Sequence, residues 1–144
     1  MKILHVDDRE EWLEGVRKKV LELSSIKGLR VLRAMSCEEA FQRLEQDKPH
    51  ALIQDLFMKS GDPDRLFEEE RLQAFDVIAR AAEDQIPCII LSNVGKLKRG
   101  QTAEQFQREL LNRTGAKAYV TKEAYVETGG KALVAQLEKV LGAA

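Results

Sequence analysis

The chain has 144 residues, with 23 Lys and Arg against 24 Asp and Glu, so its formal net charge is -1. That length predicts one domain with a core of its own. The near balance of charge argues against a dedicated nucleic-acid binder, and no apolar run approaches the roughly 20 residues that a membrane span needs. The N-terminus does not resemble a signal peptide, and Cys37 and Cys88 lack the spacing of metal ligands, so we expect a cytoplasmic protein.

The first third of the sequence predicts two strands and two helices. Residues 2–6 are a short, mostly apolar run, as expected of a strand that is buried on both faces. Residues 9–24 place apolar side chains at helical spacing among Glu, Arg and Lys, which predicts an amphipathic helix. After a second predicted strand at 29–34, a capping box at 36–39 begins a second helix, which ends before Pro49.

The middle of the sequence continues this alternation. A third strand is predicted at 51–55 and ends at a carboxylate. A loop that contains Gly, Asp and Pro is predicted at 56–66, and a helix follows it over about 67–84. A fourth strand is predicted at 87–92, with proline only at its start, where a missing hydrogen-bond donor does little harm.

The last third predicts a basic, glycine-containing loop at 93–101 and a helix at 102–113, which a second capping box begins. A fifth strand is predicted at 116–121 and a last helix at about 130–141. Strands that alternate with helices indicate a parallel sheet covered by helices on both faces. Because crossovers are right-handed, the sequence predicts an α/β fold with a doubly wound sheet of five strands and five helices.

Polar side chains stand where four of the five predicted strands end. Asp7 and Asp8 follow the first strand, Asp55 ends the third, Ser92 ends the fourth and Lys122 follows the fifth. We call these five residues the rim. In an open parallel sheet, ligands bind outside the carboxyl ends of the strands, where the strand order reverses. Three converging carboxylates would repel one another, and Mg²⁺, which prefers oxygen ligands, would relieve that repulsion.

The rim suits phosphoryl transfer. This chemistry needs positioning and charge neutralisation, which a cation, the Lys122 ammonium and the Ser92 hydroxyl can provide. An aspartate can serve as the nucleophile and form an acyl phosphate. The simpler interpretation, that polar residues begin wherever strands end, explains any one of these residues but explains the whole set less well.

Four stretches of the sequence, ILHVDD, ALIQDLFM, IILS and AYVTK, occur in the order and at the strand ends of a known family. On these motifs the chain resembles the receiver domain of two-component response regulators over essentially its whole length. The resemblance implies a flavodoxin-like fold with the strand order 2-1-3-4-5. It also implies a single, stand-alone receiver domain over residues 1–144 with no output domain.

The resemblance implies a phosphorylation site that depends on Mg²⁺. Asp55 would be the phosphoacceptor and a metal ligand. Asp8 would bind Mg²⁺ directly, Asp7 would act mainly through water, and the backbone carbonyl of Phe57 would be a further ligand. A sensor histidine kinase or a phosphotransfer protein would supply the phosphoryl group.

The resemblance also implies a switch. Ser92 would bind the phosphoryl group, Lys122 would pair with Asp55 or with its phosphate, and Tyr119 would be the aromatic residue that turns inward on activation. The fourth helix, the fifth strand and the last helix would form the face that contacts an unknown downstream protein. The chain would not be an enzyme, apart from its own phosphotransfer and autodephosphorylation.

Some positions depart from the family's pattern. Lys59 and Glu123 stand where the family usually has proline. A cis peptide without proline costs roughly 2.5–4 kcal/mol, so the resemblance leaves open whether the Lys122–Glu123 bond is cis. Phe57 carries a bulky apolar side chain, which we expect at the mouth of the site.

Two side chains near the acidic pair have structural interpretations. His5 lies inside a predicted strand without a nearby His or Cys, which favours a packed or hydrogen-bonded histidine over a metal ligand. Trp12 follows the acidic pair closely and is expected to pack on the core at the first helix. Its fluorescence could also report metal binding.

Two other functions remain open. A phosphorylation-independent adaptor with a receiver fold usually lacks the acidic pair, the acceptor or the lysine, and all of these are present here. A Mg²⁺-dependent phosphatase with an aspartate nucleophile would carry Asp-x-Asp at the first strand end, whereas Arg9 occupies the last of those positions.

Overall fold

Strands and helices alternate along the chain in the computed structural model, which describes residues 1–58, 66–95 and 97–142, and only the backbone over 66–73. The elements in chain order are β1 Lys2–Val6, α1 Glu10–Leu23, β2 Arg30–Ala34, α2 Cys37–Asp47, β3 Ala51–Gln54, α3 Leu66–Glu83, β4 Cys88–Ser92, α4 Ala103–Thr114, β5 Ala118–Thr121, α5 Lys122–Glu127 and α6 Lys131–Val140. Most of the predicted loop at 56–66, including Lys59, lies outside the described residues.

The five strands form one parallel sheet in the order β2-β1-β3-β4-β5. Val6 at the end of β1 lies opposite both Ala34 in β2 and Gln54 in β3, and Ser92 at the end of β4 lies opposite Thr121 in β5. The strand order reverses beside β1, which places the carboxyl ends of β1 and β3 next to each other at the switch point of the sheet. The predicted fold class and strand order are confirmed.

Helices bury both faces of this sheet. Leu4 and Leu52 point into a cluster with the side chains of α2, α3 and α4, whereas Ile3 and Ile53 point into a second cluster with those of α1, α5 and α6. All four side chains are 0% exposed. Because both faces are covered, the central strands are apolar at successive positions, as the sequence predicted.

The two predicted capping boxes differ in the structure. Thr102 and Gln105 form a complete reciprocal box at the start of α4. Ser36 accepts the backbone N–H of Glu39 at 3.1 Å, but the Glu39 carboxylate accepts the backbone N–H of Met35 at 3.3 Å. The start of α2 is therefore capped by the serine, and the glutamate satisfies the preceding residue instead.

The region after β5 corrects the sequence prediction, which placed only one helix there. α5 begins directly after the strand, with Thr121 Oγ1 accepting the backbone N–H of Ala124 at 3.0 Å. Gly129 and Gly130, at φ 60° and 89°, separate α5 from α6. The prediction was wrong because α5 has only 6 residues, which is too short for a helical period to be visible in the sequence.

The described backbone also answers two narrower questions. No peptide bond in the described part of the chain is cis, so the Lys122–Glu123 bond is trans. Within the same residues, no helix combines the length and the apolar character that crossing a bilayer requires.

His5 is a buried histidine in β1, an interior strand of the sheet. It is 0% exposed, and neither ring nitrogen has a hydrogen-bond partner among the described residues. Burial, with a smaller contribution from the positive charge of Lys122, lowers the pKa of His5 to about 3. His5 is therefore a packed, neutral side chain, which was one of the two predicted possibilities.

We expect His5→Leu to raise the free energy of unfolding, and to raise it more at pH 5 than at pH 7. The unfolded chain binds a proton at His5 below pH 6.5, whereas the folded protein does so only near pH 3, so the wild type loses stability as the pH falls. The advantage of leucine should grow by about 2 kcal/mol between these two pH values.

Urea denaturation of both proteins in metal-free buffer measures this difference. The carboxylates are the same in the two proteins, so their titration cancels. An advantage of leucine that is equal at both pH values would show that His5 titrates normally in the folded state.

Candidate functional site

The carboxyl ends of four strands bring the rim together. Asp7 follows β1, Asp55 follows β3, Ser92 ends β4, and Lys122 begins α5 directly after β5. The backbone N–H of Asp55 donates to Val6 O at 3.0 Å, which extends the pairing of β1 and β3 as far as this aspartate. The position of each side chain is therefore set by the sheet rather than by a long loop.

Three carboxylates converge at the rim. One carboxylate oxygen each from Asp7, Asp8 and Asp55 lie within 4.8 Å of one another. Asp7 and Asp55 are 0% and 2% exposed, whereas Asp8 is partly exposed. The backbone N–H of Arg9 donates to Asp7 Oδ1 at 3.0 Å, which fixes one of these carboxylates. An all-oxygen set of this kind could hold a hard divalent cation.

Ser92 is bonded directly to Asp55. Its hydroxyl donates to Asp55 Oδ1 at 2.6 Å, and its oxygen accepts the backbone N–H of Leu56 at 3.2 Å. The serine is 0% exposed. The hydroxyl is therefore oriented between the carboxylate and the start of the loop that follows it.

Lys122 lies between two carboxylates. Its Nζ is 3.0 Å from Asp7 Oδ2 and 3.4 Å from Asp55 Oδ2, and the residue is 6% exposed. The sequence anticipated the contact with Asp55 but not the shorter contact with Asp7. The contact with Asp7 is an ion pair rather than a hydrogen bond, because Asp7 Oδ2 has no hydrogen-bond partner within the described residues.

The pKa of Asp55 reflects its burial and the charges of the rim. Burial raises the pKa of its carboxyl to about 6, while Lys122 opposes this change and Asp7 adds to it. Hydrogen bonds from Ser92 and from the backbone N–H of Phe57 also oppose it, by stabilising the charged form. At neutral pH the carboxylate is still largely ionised, as a nucleophile must be.

Comparison with solved structures identifies the fold of this chain. No protein-family model matches the sequence, and no curated protein matches it either. Solved structures do match. The response regulator domain of Thermotoga maritima CheB is 17% identical, with a TM-score of 0.68 over 99% of this chain and 96% of that chain. The chain has the response-regulator receiver fold.

Two further structures agree. The BeF3-activated N-terminal receiver domain of Klebsiella pneumoniae RstA is 17% identical, with a TM-score of 0.69 over 98% of both chains. The receiver domain of the Francisella response regulator 1452 is also 17% identical, with a TM-score of 0.66 over 98% of this chain and 96% of that chain. The receiver fold is therefore shared with proteins that have little sequence in common with this one.

Tyr119 lies beside the loop that follows Ser92 in this receiver fold. Its hydroxyl donates to Asn93 O at 2.6 Å, and its ring meets Phe106 edge-on, with 6.4 Å between centroids. Burial raises the pKa of its phenol. The hydroxyl is thus engaged with the main chain, and the role of Tyr119 as a switch stays a prediction.

Phe57 lies in the loop after β3, and its ring reaches the loop after β4. Its ring packs against the hydrophobic cluster on the α2–α4 side of the sheet. A Cβ atom on Gly95 would lie 2.8 Å from Phe57 Cζ and 2.9 Å from Phe106 Cζ. The ring thus connects the loop after Asp55 with the loop after Ser92, rather than only covering the mouth of the site. The carbonyl of Phe57 stays a predicted ligand.

Two residues make contacts at the site that the sequence analysis did not predict. Gln54 is 0% exposed, and its amide donates to Asp55 O at 2.8 Å. The Trp12 ring lies under Lys122, with Nζ 4.6 Å from its centroid. A single amide in an otherwise apolar strand was a usable signal for Gln54. The contact made by Trp12 depends on how two distant helices cross, so no local pattern shows it.

We expect Asp55→Asn to stabilise the metal-free protein more at pH 7.5 than at pH 5. Because the pKa of Asp55 is raised from 3.8 to about 6, its contribution to stability is complete below pH 3.8 and is lost as the pH rises through 6. Asparagine does not titrate, so its advantage should grow by about 1–2 kcal/mol over this interval.

Urea denaturation in the presence of a chelator measures this advantage at the two pH values. An advantage that shrinks as the pH rises would mean that the folded protein does not hold the Asp55 proton more tightly than the unfolded chain does.

We expect Gly95→Ala to destabilise the protein by about 1–3 kcal/mol, because the added methyl group must displace two packed rings. The cost should be smaller in a Phe57→Ala background, where one of the rings is absent. Gly15→Ala is the matched control, since a Cβ atom there meets nothing within 4 Å and alanine favours the helix. Thermal unfolding compares the variants, and equal effects at the two glycines would contradict the proposed crowding.

Proposed function

We propose that the chain is a phosphoacceptor signalling module, in which Asp55 accepts a phosphoryl group and a change in packing passes the signal to a protein partner. The observation that carries this proposal is the set of contacts around Asp55. Ser92 Oγ reaches one carboxylate oxygen and Lys122 Nζ reaches the other. Two further carboxylates stand within 4.8 Å, and the receiver fold supports the same assignment.

The acidic residues of the rim would hold Mg²⁺. Asp7, Asp8 and Asp55 would supply carboxylate oxygens, with the backbone carbonyl of Phe57 as a further ligand. The donors fit this ion, since they are all oxygens and two of the three side chains are buried. When bound, Mg²⁺ would neutralise the charge that phosphoryl oxygens bring to the site.

Asp55 would act as the nucleophile. Its carboxylate is ionised at neutral pH, since the pKa is about 6. One carboxylate oxygen forms a bond to the phosphorus of the donor as the bond from phosphorus to the donor breaks, and the electron pair of that bond leaves with the donor. A sensor histidine kinase or a phosphotransfer protein would be the donor. The product is an acyl phosphate on Asp55.

Lys122 and Ser92 would respond to the new group. The ammonium can pair with a phosphoryl oxygen in place of the Asp55 oxygen that it now faces, and the hydroxyl can turn from the carboxylate to another phosphoryl oxygen. Movement of Ser92 would displace the residues that follow it in the chain. Because Asn93 O accepts the Tyr119 hydroxyl, this movement would change the contacts of the tyrosine ring and shift an existing equilibrium.

The downstream partner would contact the face formed by α4, β5 and the last helix, α6. The module would act in the cytoplasm, with residues 1–144 forming a single receiver domain. Its only catalysis would be directed at itself, namely phosphotransfer to Asp55 and hydrolysis of the product.

The alternative functions have less support. A phosphatase of the aspartyl-nucleophile type needs a second aspartate two residues after its first, and here Arg9 holds that position and turns its side chain to Glu11 at the surface. An adaptor that does not depend on phosphorylation would not need Lys122 to be buried beside two carboxylates.

We expect acetyl phosphate with Mg²⁺ to phosphorylate the wild type once, on Asp55, as measured by intact-protein and peptide mass spectrometry. A chelator should abolish the reaction, because Mg²⁺ is needed to neutralise the phosphoryl charge. Asp55→Asn should take up no phosphate. Asp84→Asn is the control, because it removes an exposed aspartate that pairs with Arg80 far from the rim, and it should react like the wild type.

Phosphate uptake and phosphate release together separate the alternative functions. A wild type that takes up no phosphate would overturn the proposal and favour the adaptor. Release of many equivalents of phosphate from a monoester would favour the phosphatase.

A further inference from the structure

Trp12 makes a contact with Lys122 that has no part in the proposed metal binding or in the proposed bond changes at Asp55. Lys122 Nζ lies 4.6 Å from the centroid of the Trp12 ring, within the distance over which an aromatic face attracts a cation. The same ammonium lies 3.0 Å from Asp7 Oδ2. Lys122 is therefore held by carboxylates and, in addition, by an indole face.

Packing between two helices fixes the indole. Trp12 lies in the first turn of α1, and Lys122 is the first residue of α5. The Trp12 ring packs against Tyr125, three residues after Lys122, with centroids 5.5 Å apart and an angle of 58° between the planes. The Tyr125 hydroxyl is 3.5 Å from Gly15 O, one turn along α1 from Trp12. The helices thus set the ring and the ammonium relative to each other.

The indole differs in one respect from the two carboxylates that contact Lys122. Asp7 and Asp55 are the groups that a metal ion and a phosphoryl group would engage, so the negative charge that their carboxylates present to the lysine would change during the reaction. Trp12 carries no charge and ligates nothing, so its attraction for the ammonium persists when the carboxylates are engaged. Tryptophan is also the side chain with the strongest attraction of this kind.

We propose that Trp12 is a positioning residue for Lys122, whose indole face keeps the ammonium beside Asp55 during phosphoryl transfer. The inference rests on the proposed function, because phosphoryl transfer to Asp55 is the reaction that it positions. A weaker indole face leaves the ammonium in place for a smaller share of the time, so the transfer slows.

Fluorination of the indole tests this role. The chain contains one tryptophan, so growth on mono-, di- or trifluorotryptophan alters Trp12 alone. Each fluorine withdraws electron density from the ring face and changes the shape of the ring little. We expect the initial rate of Asp55 phosphorylation by acetyl phosphate to fall stepwise, by roughly two- to tenfold across the series. An unchanged rate across the series overturns the inference.

The same series in Lys122→Met is the control for packing. This variant keeps a long side chain and removes the charge, so its slower phosphorylation should not depend on the number of fluorines. A parallel decrease with and without the ammonium would mean that Trp12 acts only through packing, and the inference would fail. Trp12→Phe and Trp12→Leu add a second comparison, in which phenylalanine should retain more of the rate than leucine does.

Fluorine NMR of the monofluorotryptophan protein gives a measurement that needs no phosphorylation. Its resonance should differ between the wild type and Lys122→Met, since the ammonium lies over the ring, and identical resonances would overturn the inference. A shifted resonance in a wild type that takes up no phosphate would mean that the proposed function fails, and the positioning role fails with it. A phosphorylated wild type whose rate is insensitive to fluorine would refute the positioning role alone.

Discussion

The buried ion pairs of Lys122 with Asp7 and Asp55 are the interaction on which the site depends. Three carboxylates lie within 4.8 Å of one another, and the Lys122 ammonium is the cation that contacts two of them. Burial raises the pKa of Asp55 to about 6, against the opposing effect of this ammonium. Three carboxylates face one ammonium, and a divalent cation bound there would offset their mutual repulsion.

Two buried polar side chains close to the site lower the stability of the fold. His5 has no hydrogen bond at either ring nitrogen, and the Gln54 Oε1 atom also has no partner among the described residues. Buried polar groups without partners each cost on the order of 1–3 kcal/mol. Both residues belong to β1 or β3, the strands that carry Asp7 and Asp55. Such costs are common beside functional sites, where stability is given up for a defined arrangement of charge.

The sheet could be predicted from the sequence because its central strands are covered on both faces, so that residues such as Leu4 and Ile53 form short, unbroken apolar runs. The rim could be located because four of the five strands end within a residue or two of a rim side chain. α5 could not be found, since a six-residue helix shows no period. The contacts of Trp12 with Lys122 and Tyr125 depend on the crossing of α1 and α5, more than 100 residues apart, which local patterns do not encode.

In the proposed function, the loop after β4 would carry a change at Asp55 towards the surface. Its first residue, Asn93, accepts the Tyr119 hydroxyl at 2.6 Å. Its Gly95 leaves room for the rings of Phe57 and Phe106, which a Cβ atom would approach to within 2.9 Å or less. A packed cluster of this kind changes between discrete arrangements rather than deforming continuously. Because Asp55 and Ser92 are buried, a partner at α4 and β5 would sense the packing of these rings and not the charge itself.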